Sequence, residues 1–254
     1  MARFFSCLLL LLLLLVGLMA PDVSEAALPR IKVDRATGHF VNTETNQRMI
    51  FHGSNSVSKS APFYSSFTDA QLDEYANDWG MNVIRLGLTW EAIEPVRGQQ
   101  NLTYLQITRD LVLRFAERGV YTILDMHQDL YGPKICGNGF PDWAVVVDPV
   151  VERVAPFPVP VLGRTTFEYG PDGRISPQDC GQLPYWSFIY FTAVTGSAFQ
   201  SLFDDSQGIQ TAFIDTWTVV ASQFAGMPEV LGLELINASG FIFPPDPDPC
   251  PLGV

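Results

Sequence analysis

The chain has 254 residues, of which 47% are hydrophobic, 12% aromatic and 17% charged, too apolar for a disordered protein and too mixed for a fibrous one. Fifteen Lys and Arg against 27 Asp and Glu leave a formal charge of −12. That balance repels nucleic-acid phosphate and anionic lipid, so no nucleic-acid partner is expected.

In chain order, Arg3 precedes an apolar run over residues 4–20, interrupted by Ser6, that includes eight consecutive leucines, Leu8 to Leu15. Ser24 and Ala26 then stand at the −3 and −1 positions of a cut after Ala26. A signal peptide over residues 1–26 and a secreted product are predicted; the sequence pI of about 4.5 also suits a lysosome-like compartment. An uncleaved signal anchor is the alternative, because the run is just long enough to span a bilayer. Contact with a membrane is expected only through such an anchor or through a lipid substrate.

From Arg30 the pattern alternates strand and helix. Asn46 to Phe51 reads as a strand entering a loop at His52-Gly53-Ser54-Asn55. Thr68 to Gln71 opens a helix, Leu72 to Asp78, in the manner of an N-cap. Asn82 to Gly87 is a β-branched strand. Asn101 to Arg118 carries Leu105, Leu111, Val112 and Phe115 at near-helical spacing, and Gly119 stands where a C-cap glycine belongs. Val120 to Leu124 is a third strand, finishing in Asp125-Met126-His127-Gln128-Asp129. Residues 130–184, rich in Pro, Gly and Asp, read as a long loop insertion, a kind that is usually functional. Tyr185 to Gln200 and Gln207 to Phe224 read as helices, the second with Phe213, Trp217, Val220 and Phe224 on one face, and Val230 to Ile236 as a fourth strand. Strands that are short continuous apolar runs imply a sheet covered on both faces, hence parallel βα units in a barrel or an open sheet. The remainder, 238–254, is a Pro-rich tail that forms neither helix nor central strand.

In an oxidising compartment Cys136 and Cys180, both in loop sequence, pair most economically with each other, leaving Cys250 unpaired or intermolecular. No His or second Cys stands at ligand spacing near either, so no metal site is expected. Asn101-Leu102-Thr103 is a glycosylation sequon.

Polar residues gather where parallel folds place their sites, at the C-terminal ends of strands: His52, Asn55 and Lys59, then Arg85, then His127 and Asp129, then Asn237. Trp90 and Trp143, in the loops that follow strands, are candidates for stacking on sugar rings.

The segments Phe51 to Asn55, Trp79 to Gly87 with Trp90 and Glu94-Pro95, Gly119 to Asp129, the Cys-Gly-x-Gly-x-Pro-x-Trp run from Cys136 to Trp143, and Val230 to Asn237 together resemble glycoside hydrolase family 5, in particular its endoglycoceramidase-like branch. The resemblance covers about residues 30–237. It implies an α/β fold, a (β/α)8 TIM barrel present here to about its first four βα units, with 27–237 as the N-terminal half of the catalytic barrel. It also implies retaining hydrolysis of a β-glycosidic bond, in that branch the bond joining glycan to ceramide, with no cofactor. Lys59, His127 and Asp129 would hold sugar hydroxyls, Arg85 would orient and charge-stabilise the catalytic carboxylates, and Asn237 would bind the 2-hydroxyl.

The retaining mechanism needs two carboxyl groups about 5–5.5 Å apart. In the family the acid/base glutamate follows the asparagine that matches Asn237; Ala238 occupies that position here. Glu234 has the same strand parity but sits four residues earlier, roughly 13 Å deeper at about 3.3 Å per residue, too far for proton transfer. The family's nucleophile, from the seventh strand, has no counterpart in the sequence. The chain is therefore expected to bind a glycan or glycolipid without a complete catalytic pair. The alternative is a non-catalytic glycan-binding half-barrel or a truncated splice product. The sequence leaves the oligomeric state open.

Overall fold

The computed structural model describes residues 28–147, 168–181 and 186–237; the expected signal peptide, the Pro-rich tail with Ala238, and Cys250 lie outside them. A two-stranded antiparallel ribbon comes first, β1 (Ile31–Val33) against β2 (Phe40–Asn42). The main sheet has four parallel strands in sequence order: β3 (Gly53–Val57), β4 (Val83–Leu88), β5 (Tyr121–Met126) and β6 (Val230–Glu234). Sequential parallel strands separated by helices are the repeating unit of a (β/α)8 barrel.

Helix α1 (Asp69–Asp73) begins with a closed capping box: Thr68 Oγ1 accepts from Gln71 N at 3.3 Å, and Gln71 Oε1 accepts from Thr68 N at 2.9 Å. Thr68 thus satisfies an amide that would otherwise be orphaned at the helix start. A π-turn, Glu74–Asp78, continues it. The short α2 (Trp90–Ile93) follows β4 directly, and the long α3 (Leu102–Ala116) returns the chain to β5. Its buried face is Leu105, Thr108, Leu111, Val112 and Phe115, the 3.6-residue stripe expected from the sequence. After α4 (Pro177–Gly181) come a 3-10 segment, Trp186–Phe191, then α5 (Ala193–Phe203) and α6 (Ile209–Gln223). Trp217, Val220 and Phe224 are buried as expected, with Phe213 packed against the same core.

Three sequence expectations require correction here. The first parallel strand is Gly53–Val57, not Asn46 to Phe51, so His52 lies at its N-terminal entrance and not at its C-terminal end. His52 is held there by Asn82, whose Oδ1 accepts from His52 N at 2.9 Å. Nor is every strand an apolar run. Gly-Ser-Asn-Ser-Val is polar because its first three residues are exposed, whereas β4 and β5 are almost wholly buried. In addition, residues 130–184 are not structureless throughout: 3-10 turns form at Pro133–Ile135 and Asp142–Ala144, and α4 falls within the range.

Candidate sugar-binding site

Parallel register sets the floor of the site. Asn55, Arg85 and Ile123 are level with one another, and two residues further toward the C-terminal ends Gly87 is level with Asp125 and Glu234. Arg85 is the hub. Its Nε and Nη2 donate to the Glu234 carboxylate at 2.6 and 2.7 Å, Nη1 donates to Asn55 Oδ1 at 2.8 Å, and Nη2 also donates to Asn237 Oδ1 at 3.0 Å. Nη1 lies 3.0 Å from Asp125 Oδ2, on a side chain with no exposed surface. A planar fork of five donors suits this bidentate arrangement, which a lysine could not make. The Glu234 hydrogen bonds raise the Arg85 pKa further, against its partial burial, and the same bonds hold Glu234 below its ordinary value.

Beyond β5 the chain continues the charged row. His127 is buried, its Nδ1 2.8 Å from Asp125 Oδ2 and its Nε2 3.5 Å from Asp129 Oδ2. Burial works to lower the His127 pKa, but the Asp125 and Asp129 carboxylates outweigh it, and the net shift is upward. Asp129 is held well below the usual carboxylate range, first by the His127 ring and then, against burial, by Lys59, with which it forms an ion pair. Lys59 comes from the loop after β3, so this pair crosses over the end of β4.

The backbone around these residues is fixed from both sides. Asn237 N donates to Met126 O at 3.0 Å and Asn237 Nδ2 to Gln128 O at 3.0 Å, while Gln128 Nε2 donates to Asn237 O at 2.6 Å. On the other side, Asp129 and Asn138 exchange backbone hydrogen bonds at 3.0 and 2.8 Å. That approach requires glycine: a Cβ at Gly137 would stand 2.1 Å from Asp129 O, and one at Gly139 (φ +108°) 2.4 Å from His127 O. The Cys136–Cys180 disulfide is formed and ties this segment to α4.

Lys59, Arg85, His127, Asp129 and Asn237 thus converge on one face, and Asn55, Asp125, Gln128 and Glu234 join them. Asn55 stood among the polar strand-end residues; Asp125 and Glu234 had their signal in strand register, through which each faces Arg85. Trp90 is a correction. It is fully buried, its Nε1 donating to Thr216 Oγ1 at 2.8 Å and to Glu94 Oε2 at 3.0 Å, and its ring packs edge-on to Phe140, Trp143 and Phe213. Helix α2 starts at this residue and turns the indole inward, so no sugar reaches it. Trp143 is half-buried, its Nε1 donating to Glu94 O at 3.0 Å, and its ring lies under the Arg97 guanidinium at 5.4 Å. Among the described residues no group of three or more His, Cys, Asp and Glu is arranged to hold a metal ion.

A parallel sheet whose strand ends carry an arginine clamped by carboxylates and asparagines defines a class. Residues 42–156 belong to the cellulase domain of glycosyl hydrolase family 5, whose family model they match. Within that class the chain is similar to the Endoglycoceramidase of Hydra vulgaris, 36% identical over 78% of this chain and 40% of that protein. It is also similar to the Endoglycoceramidase of Cyanea nozakii, 34% identical over 85% of this chain and 43% of that protein. Among solved structures it is similar to endo-glycoceramidase II from Rhodococcus sp. in its ganglioside GM3 complex, 26% identical with a TM-score of 0.60, covering 78% of this chain and 42% of that one. The chain therefore spans about two-fifths of the length of the relatives it matches.

Proposed function

We propose that this chain forms the glycan-binding face of a secreted glycoside hydrolase barrel of the endoglycoceramidase type, acting on the β-linked glycan of a glycosphingolipid. In this reading Lys59, His127 and Asp129 hold sugar hydroxyls, Asn237 the 2-hydroxyl, and Arg85 fixes the electrostatic floor. The observation that carries it is the Arg85 hub, which gathers Asn55, Asp125, Glu234 and Asn237 from three other strands or strand ends. The ganglioside held by the Rhodococcus relative supports a glycolipid as ligand, and the disulfide supports an oxidising compartment.

The proposal extends to catalysis: this sequence binds and does not cleave. Retaining hydrolysis requires a proton donor and a nucleophile flanking the bond. Ala238, next after Asn237, has no proton to give. Glu234 cannot replace it, because Arg85 keeps it ionised. Asp125 and Asp129 are likewise occupied by cationic partners.

The test uses the full chain and two readouts. Saturation-transfer NMR with lactose or the GM3 oligosaccharide is expected to show binding that Asp129→Asn abolishes, and incubation with fluorescent lactosylceramide is expected to release no lactose. Absence of sugar binding in the folded wild type would overturn the binding face; release of lactose would overturn the assignment of inactivity.

A further inference from the structure

The sequon Asn101-Leu102-Thr103 stands at the start of α3. Asn101 caps α3: its Oδ1 accepts from Tyr104 N at 3.1 Å and its Nδ2 donates to Ala92 O at 3.2 Å. All three residues are exposed, Leu102 by 53%. An asparagine amide linked to a sugar keeps its oxygen and one N–H, so the cap and the Ala92 bond are compatible with attachment through the second hydrogen.

Beside this asparagine is a cleft of about 400 Å³, to whose lining Asn101 and Thr103 themselves belong. Such a volume falls among small-ligand clefts of roughly 300–1,000 Å³. Its other walls include Phe63, Tyr64, Tyr104, Ile107 and Glu91. Phe63 is pinned by its carbonyl, which accepts from Tyr104 Oη at 3.2 Å, and both Phe63 and Tyr64 are half-buried. A ring of this kind offers a sugar an apolar face, and the polar lining atoms meet its hydroxyls.

A second sequon, Asn237-Ala238-Ser239, is a useful contrast. The Asn237 side chain is half-buried, its Oδ1 accepting from Arg85 and its Nδ2 donating to Gln128 O. A glycan there would stand in the middle of the sheet-end network.

We propose that Asn101 is N-glycosylated and that the first N-acetylglucosamine of its glycan seats in the adjoining cleft against Phe63 and Tyr64, making the glycan part of that surface. The bond forms between Nδ2 and the anomeric carbon of a glycosyl diphosphate donor of the secretory pathway; the anomeric C–O bond breaks, the diphosphate leaves, and the amide gives up one proton. The inference requires entry into that pathway and is independent of the sugar-binding reading above.

The full chain, expressed behind a leader that ensures entry into a eukaryotic secretory lumen, tests both parts. The expected result is a shift of one glycan on treatment with an amidase that removes N-glycans. The shift is lost in Asn101→Gln and Thr103→Ala and kept in Asn237→Gln. Thr103→Ala retains the Asn101 cap, so it reads occupancy even if Asn101→Gln fails to fold. After trimming to a single N-acetylglucosamine, the acetyl methyl proton signal is expected to be shifted upfield by the neighbouring rings, a shift that Tyr64→Ala reduces. A folded luminal chain with Asn101 unmodified overturns the modification site, and a methyl signal at the free-sugar position overturns its seat in the cleft.

Discussion

Arg85 and Glu234 belong to strands that are not neighbours: β5 runs between them, yet two guanidinium nitrogens meet the carboxylate at 2.6 and 2.7 Å. The pair bridges over Asp125, which belongs to that intervening strand and touches the same guanidinium.

The two anionic partners of Arg85 differ in exposure, and substitutions should separate them. Arg85→Met leaves Asp125, whose side chain has no exposed surface, with His127 alone beside it, and is expected to cost about 3 kcal/mol, the scale for breaking a buried pair from one side. Glu234→Gln acts on a side chain 39% exposed and is expected to cost no more than about 1 kcal/mol. Urea unfolding of the two variants measures the difference; equal losses would mean that Asp125 finds its compensation elsewhere.

Stability is expected to fall on both sides of a plateau. The folded-state pKa of His127 is raised above the ordinary 6.5, so its contribution is full below 6.5 and is lost as pH climbs through the raised value. The Asp129 carboxyl is lowered from 3.8, so its contribution is full above 3.8 and is lost as pH drops toward the lowered value. The plateau therefore lies between these ordinary values. His127→Gln is expected to flatten the alkaline limb of Tm against pH and Asp129→Asn the acid limb. A His127→Gln profile with an unchanged alkaline limb would show that another group carries it.

Gly137→Ala should damage the site far more than its small volume suggests. The added methyl would meet the Asp129 carbonyl at 2.1 Å, forcing backbone displacement that costs about 2–3 kcal/mol. Gly98→Ala is the control: φ is +79° and nothing lies within 4 Å, so backbone strain of about 1 kcal/mol is the whole effect. Amide shifts of His127 to Asp129 in ¹⁵N NMR spectra are expected to move in the first variant and to stay in place in the second.

Replacing both Cys136 and Cys180 by Ser opens a link across 44 residues and is expected to cost about 2–4 kcal/mol by chain entropy. Because Gly137 and Gly139 adjoin Cys136, lactose binding is expected to weaken more than global stability alone would dictate. Calorimetric titration well below the Tm of the variant checks this, and affinity equal to wild type would confine the disulfide to a stabilising role.

The legible parts of the sequence were those whose burial is uniform. Strands β4 and β5 are buried nearly throughout, and a buried parallel strand shows itself as an apolar run. Strand β3 is illegible because its exposed residues are Ser and Asn and the apolar Met49-Ile50-Phe51 stands just before it. The candidate residues were legible as strand ends, since a parallel sheet sends all of these to one side. Its depth along its own strand excludes Glu234 as the acid, while its place beneath Arg85 is legible only across the sheet, two strands away. The burial of Trp90 is illegible because loop position in sequence says nothing of which way a four-residue helix turns its first side chain.

The bonds that fix Asn237 run to Met126, Gln128 and Arg85, all far earlier in the chain. The frame of the sugar face is thus complete one residue before the position on which proton transfer would depend. On the function proposed above, recognition and proton donation meet at a single peptide bond, so an exchange at residue 238 addresses the proton donor alone while the bonds that anchor Asn237 stay as they are.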